Sequence, residues 1–190
     1  YRYAPALGYN PDDGFNVGLQ FEYTVKSFQQ NPFAKRHAVQ GGYYFDTQSF
    51  DIEYNGEFAN SIGDSNLSIG LRLTSPNYTV NYFGYGNESV NAEDLVNNDF
   101  NRVELQNNTA KIGLIRNASF GSVFRLFLKA DSVRLAESLN PLYQDKGNVT
   151  IEETKYFGTL EGAYDYRSFD NPLNPKRGMV FNLTAGVTDN

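Results

Sequence analysis

Any chemistry in this chain has to come from carboxylates and one imidazole, because Cys is absent. Without Cys there is no thiol nucleophile, no disulfide framework and no thiolate-ligated metal site, and nothing to carry redox chemistry. Asp12-Asp13-Gly14 has the opening character of a calcium loop, but the further spaced carboxylates of an EF-hand do not follow, so it reads as a surface turn. His37 is the single histidine and stands beside Lys35 and Arg36 with no paired Ser or Cys, so it reads as a solvated or strand-end residue. Asp51, Glu53, Glu57 and Glu161 could supply a general acid and base pair. All four fall on polar faces of alternating segments, where they line a wet interior instead. No catalytic residue, metal or cofactor is expected.

The elements that position these residues are strands. From Phe15 to Lys26, Phe15, Val17, Leu19, Phe21, Tyr23 and Val25 alternate with Asn16, Gly18, Gln20, Glu22, Thr24 and Lys26. A period of 3.6 would scatter the apolar set around a helix, whereas a period of two gathers it on one face of a strand. The pattern recurs with Phe50, Ile52, Tyr54 and Phe58, with Leu67, Ile69, Leu71 and Leu73, and with Phe124, Leu126, Leu128 and Ala130, where Phe127 intrudes on the polar side. Met179, Phe181, Leu183, Ala185 and Val187 close the series. Strands are expected near 2–9, 14–27, 37–47, 49–60, 66–76, 100–116, 122–135, 154–168 and 178–188, nine in all, with no helix. Pro5 cannot donate to a ladder, which confines the first to an edge or an irregular pairing.

The composition agrees with an all-β chain: 17 Gly, 14 Tyr and 15 Phe with no Trp among 190 residues. A net charge of −6 without any basic stripe argues against nucleic acid. Mean hydropathy is −0.52, which would suit a soluble protein, but a transmembrane barrel turns only every second side chain toward lipid and averages to the same value. Tyr1-Arg2-Tyr3-Ala4-Pro5 lacks the basic and apolar regions of a signal peptide, and the chain is expected to be an interior piece of a longer precursor.

Connections alternate in length. Gln29–Arg36, Ser61–Ser65, Asn117–Gly121 and Phe169–Gly178 are short, while Asn77–Asp99 and Ala136–Glu153 are long and rich in Asn, Asp and Glu. Membrane barrels have short periplasmic turns and long extracellular loops, so the chain is expected to enter from the periplasm. An open nine-stranded sheet leaves two unpaired edges, which hydrocarbon does not tolerate, and single-chain bacterial barrels have even strand numbers. Strands beyond these are therefore required, unless the first is not a strand and eight close by themselves. Aromatics at Tyr43-Tyr44-Phe45, Tyr82-Phe83 with Tyr85, Tyr156-Phe157, and Tyr164 with Tyr166 fit girdles at the two membrane interfaces.

Three segments carry a family likeness: Tyr9-Asn10-Pro11-Asp12-Asp13-Gly14-Phe15-Asn16-Val17-Gly18, Asn81-Tyr82-Phe83-Gly84-Tyr85-Gly86-Asn87-Glu88-Ser89, and Phe169-Asp170-Asn171-Pro172-Leu173-Asn174-Pro175-Lys176-Arg177-Gly178-Met179-Val180-Phe181. Together they resemble the bacterial surface antigen superfamily, the barrel of the BamA and TamA assembly factors and of two-partner secretion transporters. The third resembles that family's Pro-x-x-Gly turn, with Asp170, Pro172, Pro175, Arg177 and Gly178 as its members. Pro172 and Pro175 would fix φ and Gly178 would take φ > 0. Phe83, Gly84, Gly86 and Asn87 form the matching surface-loop motif.

The resemblance implies the amino-terminal half of a sixteen-stranded outer-membrane barrel, about nine strands over residues 1–190. The implied branch carries a periplasmic domain upstream, phosphoesterase-like or of another kind, and further strands lie downstream. It also implies a weak seam at the first strand, with Arg2, Tyr3, Ala4, Leu7, Gly8 and Tyr9 as the gate, where client strands pair by β-augmentation; the other reading of these residues is a linker into the barrel. The family's Arg-Gly-Phe/Tyr loop tip and terminal aromatic strand belong to the second half and do not occur here. The expected function is insertion or translocation of proteins at the outer membrane, without enzymatic activity. Its partners would be outer-membrane lipid, the remaining strands of the same polypeptide, unfolded barrel clients, and periplasmic or lipoprotein accessory subunits. A passive pore or small eight-stranded barrel, and a soluble lipocalin-like binder with its apolar faces turned into a cavity, are the alternatives.

Overall fold

The computed structural model describes residues 1–10, 14–28, 30–81, 102–118, 121–135, 153–170 and 176–190. Ten strands are present: β1 (Arg2–Asn10), β2 (Gly14–Ser27), β3 (Gln30–Tyr44), β4 (Ser49–Ile62), β5 (Ser65–Thr74), β6 (Thr79–Asn81), β7 (Arg102–Asn117), β8 (Ser122–Leu135), β9 (Thr154–Phe169) and β10 (Gly178–Asp189). No helix occurs among the described residues. All pairings are antiparallel and run in chain order from β1 to β10, with the short β6 set aside against β7. The sheet is not closed: β1 pairs only with β2 and β10 only with β9.

Register follows the alternation. Pairs such as Leu19↔Gly41, Ile52↔Leu73, Ile69↔Ile112, Ile112↔Leu128 and Leu128↔Leu160 keep the apolar sets on one face across the sheet. Glu53↔Arg72, Lys111↔Lys129 and Phe127↔Glu161 lie on the other. A slip of one residue would exchange the two faces, so the pattern itself pins the register. Because successive strands are antiparallel, β2, β4, β7 and β9 end, and β3, β5, β8 and β10 begin, at one end of the sheet, and β5 and β8, which precede the two long connections, both end at the other.

Four expectations need correction. The expected turn Gln29–Arg36 is ladder, because β3 begins at Gln30 and Thr24↔Arg36 and Val25↔Lys35 are paired. A register shift between Val25 and Ser27 interrupts this stretch, and such an irregularity accommodates Pro32 and hides the alternation. At its other end β3 stops at Tyr44, and residues 45–48 turn, with Gln48 at φ 51. The turn Ser61–Ser65 tightens to Gly63-Asp64, since β4 runs on to Ile62 through an irregularity at which Asn60 adopts φ 49. Finally, the expected loop Asn77–Asp99 contains β6, paired to β7 through Thr79↔Glu104 and Asn81↔Arg102. The nine expected strands otherwise correspond to the nine on the main path.

Candidate functional site

A sheet of this size in a water-soluble domain would bury one of its faces. Here only Phe33 and Val103 are buried apolar residues among those described. The apolar face is the exposed one: Leu19 is 56% exposed, Leu128 58% and Leu183 57%. The polar face is the sheltered one, and it is concave. Glu22 on β2 and Thr184 on β10 line one cavity of about 610 Å³ together with Arg36, Glu57, Arg125 and Glu161, so the sheet curls until strands far apart in the order face each other.

Charges on the concave face are tied across strands. Arg36 donates to Glu57 at 2.6 Å and Lys129 to Glu161 at 2.5 Å. Asp165 accepts from both Arg125 and Asn182, which links β8, β9 and β10. Gln40 and Asn55 donate to Glu53, Asn66 donates to Glu57, Tyr44 to Asp51, and Thr109 to Asp131. The four carboxylates weighed as acid or base, Asp51, Glu53, Glu57 and Glu161, are therefore all on this face, each engaged by a donor. Partial shelter strengthens the attraction in such pairs, and the desolvation of both charges offsets part of that gain.

Aromatic rings on the convex face gather in clusters among aliphatic side chains. In mid-sheet Tyr23 stacks on His37 at 6.3 Å and His37 on Tyr54 at 6.1 Å, and towards the end with the short turns Phe124 packs against Tyr164 at 4.7 Å. At the end with the long connections, Phe45 meets Phe15 at 5.6 Å and Tyr43 at 5.1 Å. His37 is thus not a strand-end residue: it sits within β3, its Nδ1 2.9 Å from the Tyr54 hydroxyl. Of the aromatics grouped on sequence, Tyr44 belongs to the concave face, where it reaches Asp51. Tyr82, Phe83 and Tyr85 lie outside the described residues.

The seam residues form β1, which pairs with β2 without a register break. Arg2, Ala4 and Gly8 oppose Glu22, Gln20 and Asn16 on the concave side, and Tyr3, Leu7 and Tyr9 oppose Phe21, Val17 and Phe15 on the convex side. The linker reading does not describe a nine-residue strand. Pro5 is accommodated because β1 lies at the sheet edge.

In the Pro/Gly turn, the Asp170 amide donates to the Arg177 carbonyl at 3.0 Å, and the Asp170 carboxylate accepts from the amides of Lys176 and Arg177 at 3.0 and 3.1 Å. Gly178 does not adopt positive φ; among the described residues only Gly14, Gly63 and Gly121 do so as glycines. It is needed for space, since a Cβ there would come within 2.5 Å of the Phe169 ring and of the Ser168 carbonyl oxygen. Pro172 and Pro175, the motif residues Phe83, Gly84, Gly86 and Asn87, and the carboxylates Asp12 and Asp13 lie outside the described residues.

Sequence reasoning missed one polar cluster at the end with the long connections. Ser49, Thr74 and Ser75 are buried there. The Phe50 amide donates to Ser75 Oγ, Asn107 donates its amide to Thr74 Oγ1, and Asn77 Nδ2 reaches the carbonyls of Thr47 and Gln48. The expected strand 66–76 runs through Thr74-Ser75-Pro76, whereas β5 ends at Thr74 and these short polar side chains fasten the start of β6 and β7 to the β3–β4 turn. No family model, curated protein or solved structure matches the chain.

Proposed function

We propose that this sheet is the amino-terminal part of an outer-membrane β-barrel belonging to an assembly or translocation factor of the surface antigen type. The observation that carries the membrane assignment is the inverted burial, with aliphatic side chains exposed on the convex face and ion-paired side chains sheltered on the concave one. Leaving so many large apolar groups about half exposed to water would forgo about 1 kcal/mol for each, whereas in hydrocarbon the same face is matched to its solvent. Phe15, Tyr43 and Phe45 near the end with the long connections, and Phe124 and Tyr164 near the other, agree with headgroup-level girdles.

Strand length agrees too. The longer strands carry 14 to 16 residues. At about 3.3 Å per residue and with a barrel tilt, they cross a hydrocarbon core and project beyond it. A lipocalin-like reading requires the opposite arrangement, with apolar side chains turned into the cavity. A closed eight-stranded barrel requires the first segment not to be a strand, and β1 is one.

The assembly role rests on the family likeness of the three quoted segments and on the unpaired edges of β1 and β10. Hydrocarbon does not tolerate unpaired edges, so further strands of the same polypeptide close them, and the free side of β1 is where a client strand could add. A passive pore with a charged lining is the second reading. Cysteine pairs separate the two. In the full-length protein, Leu7→Cys should cross-link to a cysteine in an incoming barrel client during assembly. Cross-links only to the protein's own last strand, together with steady ion conductance, would instead establish the pore.

A further inference from the structure

Two cations on neighbouring strands of the concave face, Arg72 and Lys111, lack the acidic partners that Arg36, Arg125 and Lys129 have. A second cavity, about 530 Å³, is bordered by β4, β5, β7, β8, β9 and β10 and contains the acids Glu53, Asp131 and Glu161. Each is already engaged: Glu53 by Gln40 and Asn55 at 2.9 and 2.7 Å, Asp131 by Thr109 at 2.5 Å, and Glu161 by Lys129 at 2.5 Å. Arg72 and Lys111 line the same cavity and make neither a hydrogen bond nor an ion pair among the described residues. The Nε of Arg72 is buried without a partner. A buried donor left unpaired costs about 1–3 kcal/mol, and an acceptor held in the cavity would remove that cost.

The backbone holds the two cations together. Gly70 opposes Lys111 and Thr109 opposes Arg72, so Arg72 and Lys111 are diagonal neighbours, roughly 7–8 Å apart at Cα. Lys111 also stands directly opposite Lys129, a like-charge pairing that disfavours the bare sheet. Gly70 gives the Lys111 stem its place, since a Cβ at Gly70 would overlap it. Glu53 faces Arg72 in register and could have taken the guanidinium, yet it is held by two amides instead.

We infer that Arg72 and Lys111 form a binding site for a small oxyanion of the phosphate or carboxylate class. The guanidinium offers a planar fork to two oxygens, and the ammonium adds a point charge that Lys129, bound to Glu161, does not compete for. The site depends only on the polar concave face and stands whether or not the sheet lies in a membrane.

Calorimetric titration of the full-length protein in detergent with inorganic phosphate at low ionic strength tests it, with near-ultraviolet circular dichroism checking that each variant is folded. Native protein should bind phosphate saturably at one site. Arg72→Gln and Lys111→Met, the latter keeping the stem over Gly70, should each weaken binding at least about tenfold. Lys35→Gln, the same charge change on the convex face, should leave it unchanged. Phosphate should raise the thermal midpoint of native protein but not that of the double variant. Absence of saturable binding, native affinity in both site variants, or an equal loss in Lys35→Gln would overturn the assignment.

Discussion

Phe127 lies across Gly113 on the concave face. The two oppose each other in the β7–β8 register, and a methyl group added at Gly113 would overlap both the Phe127 ring and the Leu126 carbonyl oxygen. This explains the aromatic that interrupts the polar side of β8: it fills a gap left by a glycine on the next strand. Gly113→Ala should destabilise the folded protein by about 1–3 kcal/mol, because the backbone oxygen cannot move aside as a side chain could. Equilibrium unfolding in urea measures it. Phe127→Leu in the Gly113→Ala background should recover only the part due to the ring.

Asp165 accepts hydrogen bonds from Arg125 on β8 and Asn182 on β10. Replacing it by Asn removes the charge that both donors use, and Arg125 then remains half-sheltered without its acceptor. A loss of about 1–3 kcal/mol is expected. Hydrogen exchange should show it locally, as faster exchange in β10 with little change in β2 to β5. Uniform acceleration across the sheet would contradict the local role.

Asp170 closes the turn into β10 through two carboxylate bonds to backbone amides. Asp170→Ala should cost about 1–2 kcal/mol, and Asp170→Asn, which keeps an acceptor oxygen, should cost less than half of that. Thermal unfolding of the pair of variants distinguishes a lost acceptor from a lost charge.

Most of the strand order was legible in the sequence, because alternation over ten or more residues has no helical counterpart. β2 and β8 fall on the expected residues, and β9 and β10 differ by one at their ends. The start of β3 was hidden, since Gln30-Asn31-Pro32-Phe33-Ala34 breaks the two-residue period where the ladder is irregular. The three-residue β6 is too short to carry any period. Alternation also separates two faces without saying which is concave; that follows from the curl of the sheet, which no local pattern encodes. His37 is expected at a strand end for a related reason. Its neighbours Lys35 and Arg36 suggest that the strand starts there, whereas its surroundings come from Tyr23 and Tyr54 on the flanking strands. The Arg72–Lys111 pair likewise arises from strand register, between residues far apart in sequence.

The central claim, that the convex face meets lipid and the concave face water, is tested most directly at two adjacent residues of β10. Leu183 lies on the convex face and Thr184 lines the concave cavity, and both are exposed in this structure. Leu183→Lys and Thr184→Lys should be introduced separately into the full-length protein, and the folding free energy of each measured in lipid bilayers by reversible urea titration. Leu183→Lys should lose about 2–4 kcal/mol and Thr184→Lys less than about 1 kcal/mol. Equal tolerance of both lysines, or a greater loss at Thr184, would contradict a lipid-facing convex surface.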